Sequence, residues 1–123
     1  MTPPSGFGND ARLKERREFQ QVFRSGRKTV GRALILWHRV DASERRPRLG
    51  LSVSAKVGGA VRRNRLKRLL RETFRLRRSE LRPGVEMIAY PRSGCPWKGR
   101  ADSERDLLDL WRKAGLLRTH RTP

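Results

Sequence analysis

The sequence predicts an α+β fold, a single-domain two-layer sandwich in which helices pack against a small β-sheet in the order αββαβα. Three observations support this class. The chain has 123 residues, which suits one small domain. Short segments of β-branched and aromatic residues interrupt longer segments with helical apolar spacing. Residues 1–10 and 119–123 show no such pattern, so we expect a domain over 11–118 between two disordered tails.

The first helix is predicted at residues 16–24, where Phe19 and Phe23 lie one turn apart and Gly26 marks the end. A strand is predicted next, at 29–40. This segment is rich in β-branched and aromatic residues and has a continuous apolar centre.

A polar loop at 41–47 leads into a second strand at 48–54, where apolar residues alternate with small and polar ones. Gly58 ends this strand. A long helix is then predicted at 60–81, and Pro83 stops it.

The last part of the chain predicts a third strand at 85–90 and a loop at 91–100. Ser103 is expected to cap a final helix that ends near Leu117. The apolar face of this helix consists of Leu107, Leu110, Trp111 and Ala114.

The charge of the chain indicates a polyanionic partner. It has 31 Lys and Arg against 12 Asp and Glu, a formal net charge of +19. Nucleic acid, an anionic membrane surface and an acidic protein would all attract such a chain. Composition alone leaves these three partners open.

Targeting signals and cysteine usage favour the cytoplasm. Residues 1–10 contain no apolar run of the kind that a signal peptide needs. The longest apolar stretch, 33–37, is too short to cross a bilayer. The single cysteine, Cys95, cannot form an internal disulfide, and we assign it no role.

The long helix is predicted to have an apolar face and a cationic face. On a helical wheel the apolar face consists of Leu66, Leu69, Leu70, Thr73 and Phe74. The opposite face consists of Asn64, Arg65, Arg68, Arg71 and Arg75. Glu72 is the only acidic residue between Arg62 and Arg78, so these cations are expected to await an external anion.

Two other interpretations of this helix are a plain solvated surface and a membrane-surface helix. Nucleic acid is favoured over membrane, because the apolar positions have a sheet to cover. Asn64 can both donate and accept hydrogen bonds, which suits bases and 2′-hydroxyls.

The aromatic residues Phe19, Phe23 and Trp37 have two interpretations of equal weight. They can form part of the core. Alternatively they can stack on the bases of single-stranded RNA, since Phe19 and Phe23 lie in an otherwise polar helix. Three polar residues would lie nearby if the second strand neighbours the first, namely Ser52, Ser54 and Lys56.

The sequence predicts neither a catalytic site nor a metal site of its own. It contains no Ser-His-Asp or Cys-His arrangement and no phosphate-binding loop of the Walker type. His38 and His120 are isolated, and His38 is expected to be a strand residue whose ring is hydrogen-bonded. No cluster of carboxylates suits two-metal nuclease chemistry.

Several segments together resemble the protein subunits of bacterial ribonuclease P. In chain order they are Arg12-Leu13, Phe19-Gln20-Gln21-Val22-Phe23, Gly26, Leu49-Gly50-Leu51-Ser52-Val53-Ser54, Lys56-Val57-Gly58, Ala60-Val61, Arg63-Asn64-Arg65-Leu66-Lys67-Arg68, Arg71-Glu72 and Phe74. The resemblance covers about Arg12 to Leu117, and its middle third is highly specific.

This resemblance implies a protein that binds a large catalytic RNA, in an enzyme that removes the 5′ leader of precursor tRNA. The catalytic groups are then expected on the RNA and its Mg²⁺ ions. Contacts to the catalytic RNA are implied for Arg62, Arg63, Asn64, Arg65, Lys67, Arg68, Arg71 and Arg75. Contacts to the leader are implied for Arg12, Phe19, Phe23, Trp37, Ser52, Ser54 and Lys56.

The resemblance also implies a mixed sheet with a left-handed βαβ crossover, against the usual handedness. It implies neither a membrane nor an obligate protein partner. The chain departs from the family pattern at Ala55, where a lysine is common, so one cation near the leader or a metal ion is missing.

Two rival functions remain open at this point. A ribosomal or RNA-chaperone protein would suit the same charge and basic helix, but it would bind mature and precursor tRNA alike. A protein with its own nuclease site would cleave RNA without an RNA partner.

Overall fold

The computed structural model describes residues 9–118 and confirms the α+β class with one strand more than expected. The helices and strands, in chain order, are α1 (Arg16–Ser25), β1 (Arg27–Val30), β2 (Leu34–Val40), β3 (Arg48–Leu51), α2 (Ala60–Arg77), β4 (Val85–Pro91) and α3 (Arg100–Lys113). Short 3₁₀ helices lie at Asn9–Ala11, Ala55–Val57 and Arg78–Glu80.

The four strands form one mixed sheet in the order β1-β2-β4-β3. Strands β1 and β2 are antiparallel, as are β2 and β4, whereas β3 and β4 are parallel. A parallel pair needs a long connection, and here α2 provides it. This is the connection for which the family resemblance implies a left-handed crossover.

The main core lies between the sheet and the layer formed by α2 and α3. Because successive strand residues point to opposite faces, Leu34, Leu36 and Met87 point into this core, together with Leu70 and Trp111 from the helices. These side chains are at most 1% exposed. The sheet and this helical layer form the predicted two-layer sandwich.

Helix α1 adds to the opposite face of the sheet, above a smaller apolar cluster. Val22 of α1, Ile88 of β4 and Leu13 form its buried part, and Phe19 and Trp37 pack against it. The helix begins at a capping box, in which the side chains of Glu15 and Glu18 each accept a hydrogen bond from the other's main-chain N–H.

The single strand predicted at 29–40 is wrong, because this segment forms the β1–β2 hairpin. The chain turns between the two strands, where the Gly31 N–H donates to the Leu34 carbonyl at 2.8 Å. His38 lies in β2 as expected, and its Nε2 is 2.8 Å from Thr29 Oγ1 of β1.

Ser103 is not the cap of the last helix. Helix α3 begins at Arg100, after Gly99, and Ser103 is buried within it. Its hydroxyl lies 2.6 Å from Thr73 Oγ1 of α2, so it joins two helices. Sequence alone gave no sign of this partner.

The structure describes only part of the two predicted tails. Residues 1–8 and 119–123 of the two expected tails, His120 included, lie outside the described residues. Asn9 and Asp10 begin the first 3₁₀ helix. No helix in the described range is long and apolar enough to span a membrane.

Candidate RNA-binding surfaces

Helix α2 has the two faces that the wheel predicts. Its buried residues are the five that the wheel predicts for the apolar face, namely Leu66, Leu69, Leu70, Thr73 and Phe74. Gly59 precedes the helix, and the chain continues beyond Arg77 as a 3₁₀ turn. Packing of this face on the sheet presents the opposite side of α2 to solvent.

We call the solvent side the outer face of α2, which consists of Val61, Asn64, Arg68 and Arg75. Asn64 and Arg68 are exposed, and neither side chain has a hydrogen bond or ion pair within residues 9–118. Val61 is 85% exposed. A polar and cationic surface with few internal partners suits contact with a polyanion.

Arg62 and Arg65 bond main-chain carbonyls within the chain, but neither pairs with a carboxylate among residues 9–118. The Arg62 guanidinium donates to the carbonyls of Trp97 (3.0 Å) and Cys95 (2.6 Å), and Arg65 donates to the Lys98 carbonyl. Both arginines therefore fasten the loop before α3 to α2. Sequence could not indicate this, because their partners are main-chain oxygens.

Arg75 also has a partner within the chain. Its guanidinium pairs with Glu72 at 2.7 Å, one helical turn away. Glu72 is the one acidic residue that the sequence places among these cations. The pair is partly exposed, so it leaves Arg75 at the surface.

Arg71 lies at the side of α2 rather than on the outer face. It lines an open depression of about 360 Å³ together with Arg12, Phe19 and Gly50. The Nε atoms of Arg63 and Arg71 are buried and have no hydrogen-bond partner among the described residues. Residues four positions apart share one side of a helix, so we name Arg63, Lys67 and Arg71 the cleft-side flank of α2.

Phe19 lies directly on the backbone of β3, which allows this depression to form. A Cβ atom added at Gly50 would lie 2.7 Å from Cζ of Phe19. Only glycine leaves room for a ring that rests on the strand so closely. The depression and the adjoining sheet face beside α1 are called the cleft below.

A row of aromatic side chains extends across the same sheet face. The ring centroids of Phe23 and Trp37 are 5.1 Å apart, and those of Trp37 and Tyr90 are 5.9 Å apart, both edge to face. Lys28 Nζ lies 5.7 Å from the centroid of Trp37. Phe23 is 43% exposed, whereas its neighbour Val22 is fully buried and fills the core.

Tyr90 is a candidate that sequence reasoning missed. It stands two residues after Ile88 in β4, so it points to the same face as Ile88 and α1. The pairing of β2 with β4 brings it beside Trp37. Strand pairing could not be inferred from sequence, and the row could therefore not be completed.

The polar candidates after Gly50 follow the end of β3. Strand alternation places Ser52 on the same face as Gly50, and its N–H donates to the Ala89 carbonyl at 3.0 Å. The Ser54 hydroxyl accepts from the Lys56 N–H at 3.1 Å and so caps the short 3₁₀ helix. Lys56 is exposed at this turn, next to Ala55.

A buried charged network holds α1 on the sheet. Arg48 of β3 donates to Glu18 of α1 at 2.7 Å and to Glu86 of β4. Glu86 also pairs with Arg39 at 2.6 Å. The side chains of Arg48 and Glu86 are about one tenth exposed, so each needs the other's charge.

Glu18 is the acidic group that α1 contributes to this network. Burial raises its pKa, but hydrogen bonds from the N–H groups of Glu15 and Lys14 and from Arg48 outweigh burial. Together they lower the pKa of Glu18 from 4.5 to about 2. Glu18 therefore remains ionised in the folded protein well below neutral pH.

We expect Glu18→Gln to remove a pH-dependent part of the stability. Because the folded pKa lies below 4.5, the stabilisation by Glu18 is present above about pH 4.5 and is lost as the pH falls towards 2. Its size is on the order of 2 kcal/mol, since the group is partly exposed. Urea unfolding at several pH values should show the parent and the variant converging in acid. Glu44→Gln, at an exposed position, is the control, and a constant difference for Glu18→Gln would contradict the assignment.

Comparison with known proteins gives the same family in three ways. A family model described as Ribonuclease P matches residues 7–115. The ribonuclease P protein component of Clostridium acetobutylicum is 36% identical over 107 residues, covering 86% of this chain and 90% of that protein. That of Dictyoglomus thermophilum is 38% identical over 115 residues, covering 91% and 94%.

Solved structures agree with the sequence relatives. The RNase P protein of Staphylococcus aureus superimposes with a TM-score of 0.78 at 26% identity, covering 88% of this chain and 98% of that one. The RNase P protein of Thermotoga maritima gives a TM-score of 0.74 at 29% identity, covering 83% and 96%.

Proposed function

The chain belongs to the ribonuclease P protein family, and on this basis we propose that it divides its RNA contacts between two surfaces. As a ribonuclease P protein component, it works with the ribonuclease P RNA in forming the 5′ end of tRNA. The outer face of α2 binds this catalytic RNA. The cleft binds the 5′ leader of the precursor tRNA.

The observation that carries the proposal is the separation of the two surfaces by the sheet. The outer face of α2 points away from the sheet and offers cations and an amide for phosphates and 2′-hydroxyls. The aromatic row lies on the other side of the sheet, beside α1. Aromatic rings next to cations are the usual means of holding single-stranded RNA.

The cleft-side flank of α2 connects the two surfaces. Arg71 lines the depression with Phe19, so it supports leader binding better than contact with the catalytic RNA. Arg63 and Arg71 are half-buried, and the accessible part of each guanidinium group can pair with phosphate oxygens. A leader strand in the cleft would meet aromatic rings on its floor and these guanidinium groups at its side.

We place the catalytic groups on the RNA subunit and its Mg²⁺ ions. Within residues 9–118, no group of three or more His, Cys, Asp or Glu side chains is arranged to hold a metal ion. Magnesium would supply an activated water and stabilise the leaving oxygen. The protein's contribution is then to position the precursor. We expect this enzyme to act in the cytoplasm.

Reconstitution with the cognate ribonuclease P RNA tests the proposal. At low magnesium, cleavage of precursor tRNA should be faster with the protein than with RNA alone, and the holoenzyme should bind precursor more tightly than mature tRNA. A chaperone would show no such preference. Cleavage by the protein alone would indicate a nuclease site of its own.

Removing an exposed ring tests the cleft itself. Phe23→Ala should weaken precursor binding about fivefold or more, because stacking on one base contributes about 1–3 kcal/mol. Binding of mature tRNA should not change. Unchanged precursor affinity together with lower stability would show that the aromatic row is only part of the core.

Gly50→Ala should displace Phe19 and impair the same site. Its new Cβ would meet the Phe19 ring, and overpacking of this kind costs about 1–3 kcal/mol of stability. Thermal unfolding and precursor affinity measure the two effects. Gly99→Ala is the matched control, since its Cβ would meet nothing within 4 Å. Equal behaviour of the two variants would contradict the close contact at Gly50.

A further inference from the structure

The segment before α1 forms one wall of the cleft. Residues 9–14, here called the arm, lie along the outer edge of β3. Arg12 forms a parallel bridge with Leu49, and the Leu13 N–H donates to the Leu49 carbonyl at 3.1 Å. Arg12 and Lys14 thereby line the depression that also contains Phe19.

The arm has little apolar area with which to hold this position. Its buried side chains are Ala11, at 1% exposure, and Leu13, at 6%, whereas Asp10, Arg12 and Lys14 are exposed. A segment of alternating small, apolar and charged residues needs further attachments to stay in one conformation. The structure provides one at each end.

Glu18 provides the attachment at the end of the arm. Its carboxylate accepts from the Lys14 N–H at 2.8 Å and from the Glu15 N–H at 3.0 Å. The same carboxylate receives Arg48 from the sheet. This attachment belongs to the network described above.

Arg78 provides the attachment at the start of the arm. Its guanidinium donates to the Asp10 carbonyl at 3.0 Å, to Asp10 Oδ2 at 3.3 Å and to the Pro47 carbonyl at 2.8 Å. It also lies 5.9 Å from the ring centroid of Phe74 in α2. One side chain thus joins the arm, the loop before β3 and the end of α2.

The burial of Arg78 is unusual for a residue with no role beyond stability. Its side chain is 6% exposed, and removing an arginine from water to this extent is costly. An apolar residue of similar length would fill the same space against Phe74 without that cost. An apolar residue would not, however, bind the two carbonyls and the carboxylate that fix the arm.

We propose that Arg78 is a positioning residue for leader recognition, because it fixes the arm so that Arg12 and Lys14 face the cleft. The inference rests on the proposed binding of the leader in that cleft. Arg78 itself does not contact the leader. Its effect is to fix the main chain of the arm, from which these two cationic side chains project, before the substrate arrives, and this lowers the entropy loss on binding.

The test measures leader preference, the ratio of the dissociation constants of the holoenzyme for mature and precursor tRNA. Arg78→Met should lower this ratio roughly tenfold, the loss expected when the arm becomes ordered only on binding. Affinity for mature tRNA should not change. A residue that acts through stability alone would lower both affinities together or neither.

A combination of variants shows whether the effect passes through the arm. Arg12→Ala with Lys14→Ala should lower leader preference as well, and adding Arg78→Met to that pair should cause no further loss. An additional, independent loss in the triple variant would overturn the inference. So would full leader preference in Arg78→Met.

The same variants separate this inference from the function on which it rests. If the Arg12 and Lys14 double variant keeps full preference, the arm is not part of the leader site, and the inference fails with that part of the proposed cleft. If the double variant loses preference and Arg78→Met does not, only the role of Arg78 fails.

Asp10→Ala tests the same proposal if Arg78→Met does not fold. Asp10 is exposed, and its replacement removes only the carboxylate contacts with Arg78 and Arg46. Arg78 keeps its bonds to the main-chain carbonyls of residue 10 and Pro47, so the core is not disturbed. We expect a smaller loss of leader preference in this variant and faster exchange of the Leu13 amide hydrogen. Faster exchange together with unchanged preference would overturn the proposal, because a loosened arm would then still support leader recognition.

Discussion

Arg48→Met should lower the free energy of unfolding by about 3–5 kcal/mol, the largest stability effect that we expect from one substitution in this chain. Arg48 is buried between Glu18 of α1 and Glu86 of β4. Among residues 9–118, its removal leaves Glu86, at 8% side-chain exposure, with Arg39 as its one remaining partner. Urea unfolding at neutral pH measures the loss.

Two further variants give this experiment its control and its converse. Arg46→Met changes an arginine two positions away that is 62% exposed, and it should shift stability by less than about 0.5 kcal/mol. Arg48→Met combined with Glu86→Met removes both buried charges and should recover much of the loss. A loss below about 1 kcal/mol in Arg48→Met would show that the network contributes little.

Arg68→Glu should weaken binding to the catalytic RNA roughly tenfold or more at moderate salt. Arg68 is exposed on the outer face of α2, and its side chain has no partner within residues 9–118, so the reversal should leave the fold unchanged. The plot of log affinity against log salt should become shallower by about one. Filter binding over a range of salt concentrations measures both quantities.

Arg112→Glu is the matched control for this reversal. It changes the net charge of the chain equally, but it lies on α3, where Arg112 pairs with Asp109 at 2.9 Å. If both reversals weaken RNA binding to the same extent, the overall charge of +19 attracts the RNA and the outer face of α2 has no special part.

The sequence predicted best what one segment determines alone. Helical periodicity identified all five buried residues of α2, because the face of a helix depends only on spacing within the helix. The bounds of α1 and β4 were also predicted within one residue, because residues within or beside each segment mark its ends. The β1–β2 hairpin was missed because Gly31 lies within a run that otherwise favours one strand.

Contacts between distant segments could not be predicted in this way. Arg48 and Glu86 are 38 residues apart, and only the parallel pairing of β3 with β4 brings them together. Tyr90 joins the aromatic row through strand pairing alone. The partners of Arg62 are main-chain carbonyls, which carry no residue-specific signal. The sequence could therefore propose cationic candidates, but it could not show that Arg62 bonds the main chain of a distant loop.

The edges of the sheet also affect how readily the chain pairs with other copies of itself. The arm covers β3 at one edge, so β1 is the open edge of the described sheet. Open edges invite pairing with strands of other copies and lead to aggregation. Strand β1 is only four residues long and carries Arg27 and Lys28, both exposed. A short, charged edge disfavours such pairing, so we expect the chain without RNA to resist self-association through this edge.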